Sequence, residues 1–359
     1  MNKTGNKTLK PMQRTKTSVF FFANFPIEDK RSIGGATVLA KRIFDFVKTN
    51  PRLEVKHFQI RHFWRSKFQI IDYLFWIATF PFFIRKYDVV SFHVTRDFHF
   101  SVAPFLWFWS KLFNKKVLYH VFGGGFHRQY EQMPKLLQIL ADKTYLKSDF
   151  FIVETLEMKQ YLENKTNQNI LWLPNSRKPV KDANLSKPFQ KKLVFFSRMV
   201  PDKGIPELIE TAQLLPDDYI LDAYGPLDPN HYKSNPFENT KVNYKGTVAP
   251  DEVIELLLQY DILLMPTYIK REGYPGIIIE ALSAGIPVIA TNCCVMSEMI
   301  TDGYNGFLVK IKDARALTDA ILRFNNENYL TFRKNALESF KQFNSDIVFQ
   351  KIAKAYLDE

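Results

Sequence analysis

Short continuous apolar runs recur along the chain and predict buried parallel strands. The first is 18–23, where Val and Phe side chains follow one another without the alternation that marks a strand with one solvated face. Stretches with apolar residues at helical spacing lie between such runs, and this alternation predicts doubly wound parallel α/β sheets. Further strands are expected at 55–60, 88–93, 116–122, 150–154, 170–175, 193–196, 220–225, 242–246 and 261–266.

A polar stretch at residues 176–190, which contains Pro179 and Pro188, predicts a linker between two domains. At 359 residues the chain is long enough for two domains. We therefore expect a first domain over residues 1–180 and a second over residues 190–340.

The segment 272–280, with the sequence Glu-Gly-Tyr-Pro-Gly-Ile-Ile-Ile-Glu, joins a glycine-rich loop to a buried helix. Its glycines and proline exclude a helix throughout, whereas the apolar residues from 277 onward predict one. The free N–H groups of the first helical turn suit a phosphate. Glu280 lies one turn into the helix, where its carboxylate can accept hydrogen bonds from ribose hydroxyls, and Glu272 can reach a second polar group from the loop. The alternative is a surface loop with solvated glutamates, which the apolar neighbours of Glu280 argue against.

This segment resembles the signature of the retaining glycosyltransferases of family 4, in which two glutamates stand eight positions apart around such a loop. Pro266 and the segments 283–291 and 302–309 match that family too, and the resemblance is strong over about residues 190–325. It implies the GT-B fold, in which two Rossmann-like domains face a cleft. It also implies that the segment 341–359 crosses back to the first domain as a helix, and that a sugar is transferred from a nucleotide-diphosphate sugar with retention of configuration.

The resemblance assigns the donor site residue by residue. Glu272 would lie beside the transferred sugar as a catalytic residue, and Glu280 would hold the donor ribose. Arg198 and Lys203 follow a predicted strand and precede a helix, where two cations can neutralise a diphosphate, although a solvated basic loop would have the same sequence. In the family these two cations contact the donor diphosphate, so we include them among the catalytic residues. The other donor-binding residues expected from the loop are Gly273, Tyr274, Pro275, Gly276 and Ile277.

Gly34 and Gly35 follow the first predicted strand and precede a helix with apolar residues at helical spacing. Glycine lets the backbone approach a ligand closely, although a plain tight turn explains the pair equally well. In family 4 a similar glycine pair sits between donor and acceptor, so we expect Gly34 and Gly35 to contribute to donor binding.

A second glycine run, which includes Gly123 and Gly124, follows the predicted strand 116–122 and marks a close backbone approach. Family 4 proteins often carry a histidine directly before such a glycine, near the donor sugar. Here that position is Phe122, and the nearest histidines are His120 and His127. These histidines are candidates for the acceptor or sugar side of the cleft, or are histidines with satisfied hydrogen bonds near a strand end.

The chain contains no Asp-x-Asp sequence, the metal–diphosphate clamp of the other major glycosyltransferase fold. Arg198, Lys203 and the dipole of the helix that begins at Gly276 would supply the positive charge instead. We therefore expect a metal-independent transfer without a resident cofactor. The expected co-substrate is a nucleotide-diphosphate sugar, a UDP-sugar in preference to a GDP-sugar.

Charge and aromatic residues are distributed unevenly and indicate a membrane surface. Residues 1–180 contain 29 Lys and Arg against 13 Asp and Glu, a net charge of +16, whereas residues 181–359 carry 20 against 24, a net charge of −4. Two aromatic segments, 73–84 and 105–113, are each followed by two basic residues. Each is too short to span a bilayer but is typical of a helix at a membrane interface, or of a domain core. No zinc-finger or RNA-binding motif favours nucleic acid as a partner.

The two cysteines, Cys293 and Cys294, are adjacent and cannot form an ordinary structural disulfide, which favours a reducing compartment. The polar and basic segment 1–17 lacks the apolar core of a signal peptide. We therefore expect a cytoplasmic enzyme, peripheral on the inner face of the membrane. It would extend a glycan or lipid-linked acceptor for a cell-surface polysaccharide. A nucleotide-sugar epimerase of similar build and a non-catalytic membrane-associated binding protein are the alternatives.

Overall fold

The computed structural model describes residues 16–28, 34–62, 68–181, 185–269 and 273–359. Within these residues the chain forms two α/β units, each built on a six-stranded sheet in which every pairing is parallel. This arrangement confirms the doubly wound α/β class expected from the sequence.

The first unit alternates strands and helices from the start of the described chain. Its elements are β1 (Thr17–Ala23), α1 (Gly35–Lys48), β2 (Leu53–Gln59), α2 (Gln69–Ile84), β3 (Val89–Val94), α3 (Arg96–His99), α4 (Ala103–Leu112), β4 (Lys116–Val121), α5 (Phe126–Glu131), α6 (Lys135–Lys143), β5 (Phe150–Val153), α7 (Leu156–Lys165) and β6 (Asn169–Trp172).

The second unit follows after the crossing at residues 173–191. Its elements are β7 (Lys192–Phe196), α8 (Ile205–Leu214), β8 (Ile220–Tyr224), β9 (Val242–Gly246), α9 (Val253–Leu257), β10 (Ile262–Met265), α10 (Gly276–Ser283), β11 (Val288–Thr291), α11 (Met296–Met299), β12 (Gly306–Val309), α12 (Ala314–Leu322), α13 (Asn326–Phe340) and α14 (Ser345–Leu357).

The strand order places a crevice at the carboxyl ends of both sheets. The first sheet runs β2-β1-β3-β4-β5-β6 and the second runs β12-β11-β10-β7-β8-β9. In each sheet the order reverses beside its first strand, between β1 and β3 and between β7 and β10. Loops that leave neighbouring strands in opposite directions open a crevice there, where ligands bind in sheets of this kind.

Helix α14 returns from the second unit and completes the core of the first. Val348, Phe349 and Ile352 are buried against residues of β1 and α1, and the Phe349 ring lies edge-on to Phe46, 5.6 Å between centroids. A buried polar chain adds to this contact. The Tyr356 hydroxyl donates to Ser91 Oγ at 2.9 Å, and Ser91 in turn contacts His93 Nε2 at 2.9 Å. The C-terminal helix therefore packs on the first sheet, as the GT-B fold implied.

Candidate active site

The glycine loops of the two units meet at the carboxyl ends of their sheets. A Cβ on Gly273 would lie 3.0 Å from Glu154 Oε2, 3.3 Å from Gly123 Cα and 3.5 Å from Gly124 N. Gly123 follows β4 and takes φ = 88°, a left-handed conformation that favours glycine. The structure therefore brings together two glycine segments that lie about 150 positions apart in the sequence, and both line the crevice between the sheets.

Helix α10 begins at Gly276, with Pro275 before it in an extended conformation. Ile278 and Ile279 are buried, whereas Gly276, Ile277 and Glu280 are half-buried on the side that faces the crevice loops. The first turn leaves backbone N–H groups directed out of the helix end, and the helix dipole adds positive potential there. The predicted loop-to-helix geometry is present, and this end of α10 is suited to a phosphate.

Glu280 is paired with an arginine that the sequence patterns did not single out. Arg177 Nε donates to Glu280 Oε1 at 2.5 Å, and the two side chains are 18% and 17% exposed. The Arg177 guanidinium also lies against the helix start, because a Cβ on Gly276 would meet its Nη2 at 1.8 Å. In the sequence Arg177 appeared only as one residue of the polar linker.

A second arginine, Arg42 of the first unit, lies near the Arg177–Glu280 pair. Arg42 lies on α1 and is exposed, and its pKa is lowered from the ordinary value by partial desolvation and by the nearby charge of Arg177, while Glu280 opposes the shift. Two guanidinium groups thus lie within electrostatic range of one carboxylate, so this side of the crevice carries a positive charge.

The two cations predicted to bind the donor diphosphate lie on the loop that follows β7. Arg198 is exposed, and Lys203 is buried in a short turn at 201–203. Tyr268 anchors this turn, because its backbone N–H donates to Asp202 O at 3.0 Å and its hydroxyl to Pro201 O at 3.1 Å. The loop after β7 is therefore packed on the segment after β10, next to the point where the strand order reverses.

Gly34 and Gly35 form the start of α1 and are exposed. The Gly34 N–H donates to Thr37 Oγ1 at 3.1 Å, and no atom of the described residues lies within 4 Å of a Cβ placed on either glycine. The pair thus lies at an open helix end, where the backbone can be approached closely from outside.

The two candidate histidines occupy different environments. His120 is on β4, has no exposed surface, and its Nδ1 lies 3.1 Å from His93 Nδ1. Burial lowers its pKa to about 3. The structure therefore places His120 in the core of the sheet and not on the wall of the crevice. His127, on α5, is 6% exposed, and its Nε2 lies 3.1 Å from Glu157 Oε1.

Glu154 is a buried carboxyl group directly after β5, at the meeting point of the two glycine loops. Its Oε2 accepts a hydrogen bond from Gly123 N at 2.6 Å. Burial raises the pKa of Glu154 to about 7, and the Gly123 hydrogen bond opposes this shift. No sequence pattern singled out Glu154, since it is the last residue of a predicted apolar strand. A carboxyl group titrating near neutrality in a crevice is a functional candidate.

Tyr274 and Glu298 tie the second unit to the start of α7. The Glu298 carboxylate accepts from Leu156 N at 2.6 Å and from Glu157 N at 3.0 Å, and it also accepts the Tyr274 hydroxyl. A carboxylate at a helix N-terminus is stabilised by the exposed N–H groups and the helix dipole. Tyr274, which is 3% exposed, thus acts in the contact between the units.

Glu272, the predicted catalytic glutamate, lies outside the described residues, next to Gly273. Within the residues described, no group of three or more His, Cys, Asp or Glu side chains could hold a metal ion. Cys293 and Cys294 are free thiols.

Comparison with known proteins finds a family match that covers the second unit up to the end of α13. Residues 176–342 match the family model "Glycosyl transferases group 1". A Campylobacter jejuni relative, N,N'-diacetylbacillosaminyl-diphospho-undecaprenol alpha-1,3-N-acetylgalactosaminyltransferase, is 29% identical over 190 residues, which cover 52% of this chain and 50% of that protein. The putative teichuronic acid biosynthesis glycosyltransferase TuaC of Bacillus subtilis is 33% identical over 140 residues, which cover 38% of this chain and 34% of that protein. The matched regions span half or less of these curated relatives.

The fold of the whole chain has a solved counterpart. The structure of Anabaena Alr3699/HepE in complex with UDP superimposes with a TM-score of 0.69 and 16% identity, over 96% of this chain and 100% of that one. This likeness covers both sheets and confirms the GT-B architecture. Residues 176–342 thus match the model of the glycosyl transferases group 1, in a chain with the GT-B fold.

Proposed function

We propose that this protein is a retaining, metal-independent glycosyltransferase of family 4 that uses a nucleotide-diphosphate sugar as donor. The observation that carries the proposal is the cluster at the carboxyl end of the second sheet. There the N-terminus of α10, Glu280 and the loop with Arg198 and Lys203 surround the reversal of strand order. A helix N-terminus and two cations suit a diphosphate, and a carboxylate one turn into the helix suits ribose hydroxyls.

In this proposal the chain's own cations take up the charge that develops on the leaving nucleotide diphosphate. Positive groups fixed in a crevice stabilise such charge without reorganisation, which is the usual source of a large share of the rate enhancement. Glu272 would contact the transferred sugar from the loop before Gly273. A UDP-sugar is the preferred donor, since the structurally similar Anabaena protein was solved with UDP.

The direct test is donor turnover by the purified protein. UDP-, GDP- and ADP-sugars are incubated with it, and release of the nucleotide diphosphate is followed, with thermal shifts against the same panel reporting binding. We expect a thermal shift and slow release with a UDP-sugar, and transfer when a suitable acceptor is added. Interconversion of the sugar without release of nucleotide would identify an epimerase instead. Binding of no nucleotide sugar at all would refute the proposal.

We further propose that the acceptor is a lipid-linked or cell-surface glycan reached from the cytoplasmic face of a membrane. The Campylobacter jejuni relative is named for a sugar carried on diphospho-undecaprenol, and the Bacillus subtilis relative for teichuronic acid biosynthesis. No helix among the residues described here is long and apolar enough to cross a membrane.

Helices α2 and α4 support a membrane-facing surface. They pack against each other, and each has one buried and one exposed apolar face. Trp76, Phe80 and Leu106 belong to the core of the first sheet. The two aromatic segments thus contribute to the core on one face and leave apolar side chains exposed on the other. The exposed apolar residues of the two helices are Ile70, Ile71, Leu74, Phe75, Phe82, Phe83, Phe105, Phe108 and Leu112.

Basic residues border this apolar face. Arg85 lies over the Phe82 ring at 5.6 Å and over the Phe113 ring at 5.2 Å, so it bridges the ends of α2 and α4. Lys86 follows Arg85 in the sequence. Lys115 contacts Arg85, because its Nζ donates to Arg85 O at 3.1 Å. Aromatic residues with a basic border are typical of helices that lie in the headgroup region of an anionic bilayer.

Liposome flotation tests this surface. The wild-type protein should float with anionic vesicles at low salt and be released as the salt concentration rises, because exposed charges are screened. Phe82→Glu and Phe108→Glu, which are 66% and 55% exposed, should abolish flotation without unfolding the protein. Leu330→Glu, at an exposed apolar position on α13 of the second unit, is the matched control and should float normally. Failure of the wild type to float at low salt would leave an enzyme with a soluble acceptor.

A further inference from the structure

Arg177 lies in the segment that leads from the first unit to the second. Its backbone is hydrogen-bonded to the segment by which the chain returns from the second unit to the first. Its N–H donates to Phe343 O at 3.0 Å, and its carbonyl accepts from Ser345 N at 2.8 Å. Phe343 and Ser345 belong to the segment that leads from α13 into α14, the helix that returns to the first sheet. The backbone position of Arg177 is therefore set by the junction between the units.

The side chain of Arg177 reaches from this junction into the donor site. Its Nη1 donates to Asn175 Oδ1 at 2.8 Å and to Ser176 O at 3.0 Å, while its Nε donates to Glu280 Oε1 at 2.5 Å. Asn175 is itself held, because its Nδ2 donates to Tyr274 O at 3.1 Å. The guanidinium thus has fixed partners on both sides, through Nε and Nη1.

The pairing leaves Glu280 able to recognise a ligand. A carboxylate has two oxygens and about four acceptor positions, and Arg177 contacts Oε1. The other oxygen can still accept from hydroxyl groups, but its direction is fixed by the bond to Arg177. Without that bond the half-buried carboxylate would rotate or recruit water, and each ligand would have to reorder it.

We propose that Arg177 is a positioning residue for the donor. It holds the Glu280 carboxylate in the orientation that accepts the ribose hydroxyls, and it links that orientation to the junction between the two units. This inference rests on the donor role proposed for Glu280. Arg177 acts through Glu280, so its effect on donor binding disappears when Glu280 can no longer form the ion pair.

A double-mutant cycle tests this dependence. UDP affinity is measured by calorimetry, and KM and kcat for the UDP-sugar by nucleotide release, for the wild type, Arg177→Met, Glu280→Gln and the double variant. Each single variant should weaken UDP binding and raise KM about tenfold, the scale of one charge-assisted hydrogen bond. The kcat of Arg177→Met should change by less than about threefold. The double variant should be no more than about twofold worse than either single variant.

Two further variants separate positioning from general effects. Arg177→Lys keeps the charge but not the planar fork, so it should recover part of the lost affinity. Arg52→Met removes an arginine that pairs with Glu359 at the same 2.5 Å distance on an exposed surface, and its UDP affinity should equal that of the wild type. Circular dichroism checks the folding of each variant, and Arg177→Gln replaces Arg177→Met in the cycle if the latter does not fold.

Two outcomes would overturn the inference alone. Wild-type UDP affinity in Arg177→Met would show that Glu280 needs no positioning partner. Losses that multiply to about a hundredfold in the double variant would show that Arg177 acts independently of Glu280. If the wild-type protein binds no nucleotide, the proposed function fails first, and the inference falls with it.

Discussion

Glu154 gives the most quantitative prediction, because its burial couples folding to pH. The pKa of its carboxyl group is raised from an ordinary value of 4.5 to about 7 in the folded protein, chiefly by burial. The folded state therefore holds a proton between these values that the unfolded state has released. Since the folded state binds more protons there, the free energy of unfolding falls as pH rises from about 4.5 through about 7, and the loss is complete above that.

The size of this effect follows from the difference of about 2.5 between the two pKa values. At about 1.4 kcal/mol for each pKa unit, the ionised carboxylate costs on the order of 3 kcal/mol of stability above neutral pH. Glu154→Gln keeps an oxygen that can accept from Gly123 N but cannot ionise. The free energy of unfolding of this variant, relative to that of the wild type, should rise by up to about 3 kcal/mol between pH 4.5 and pH 8.

Urea denaturation at pH 5, 6, 7 and 8, followed by circular dichroism, measures this gain as the difference between the two unfolding free energies. Glu163→Gln removes a glutamate paired with Lys159 on the exposed side of α7, so it controls for the loss of one surface carboxylate. The free energy of unfolding of Glu163→Gln should stay within about 0.5 kcal/mol of the wild-type value at each of these pH values. Parallel pH profiles for Glu154→Gln and the wild type would refute the assignment of a buried, neutral carboxyl group.

Three further predictions concern the proposed chemistry. Arg198→Ala and Lys203→Ala should each lower turnover by about two orders of magnitude, the scale of one lost electrostatic contact in the transition state, and normal kcat in both would remove them from the donor site. Activity should persist in excess EDTA; loss with recovery on adding manganese or magnesium would show that the site's cations are insufficient. Glu280→Gln should mainly weaken binding of the bare nucleotide, whereas Glu272→Ala should mainly reduce sugar transfer, and nucleotide titrations showing the reverse would contradict this division.

The strands and the donor helix could be predicted from sequence because their signals are local. The run 18–23 is apolar after Ser18, and β1 occupies Thr17–Ala23 with every residue after the first buried. The loop-to-helix change at Gly276 was equally clear, and α10 begins there. Helix α13 was not predicted, although its buried residues Tyr329, Phe332, Ala336 and Phe340 recur at helical spacing between polar residues.

The residues that complete the site could not be predicted, because their roles depend on distant partners. Arg177 meets Glu280 across 103 positions, and Glu298 meets Leu156 across 142. Nothing local distinguishes Arg177 from the other cations of a polar linker. His120 shows the converse, since a histidine close to a glycine run in sequence lies in the core because both faces of β4 are covered and every residue after Lys116 is buried. The domain limits at 180, 190 and 340 remain predictions.

The return of α14 to the first sheet has a consequence for how the chain is made. The hydrogen bond between Tyr356 and Ser91 joins residues 265 positions apart, so the first unit lacks part of its core until residue 357 has left the ribosome. If the first unit begins to fold during synthesis, as amino-terminal domains generally do, the apolar surface under α14 stays open until then. That surface is then available to chaperones or to other nascent chains, and truncation before residue 345 would leave it open permanently.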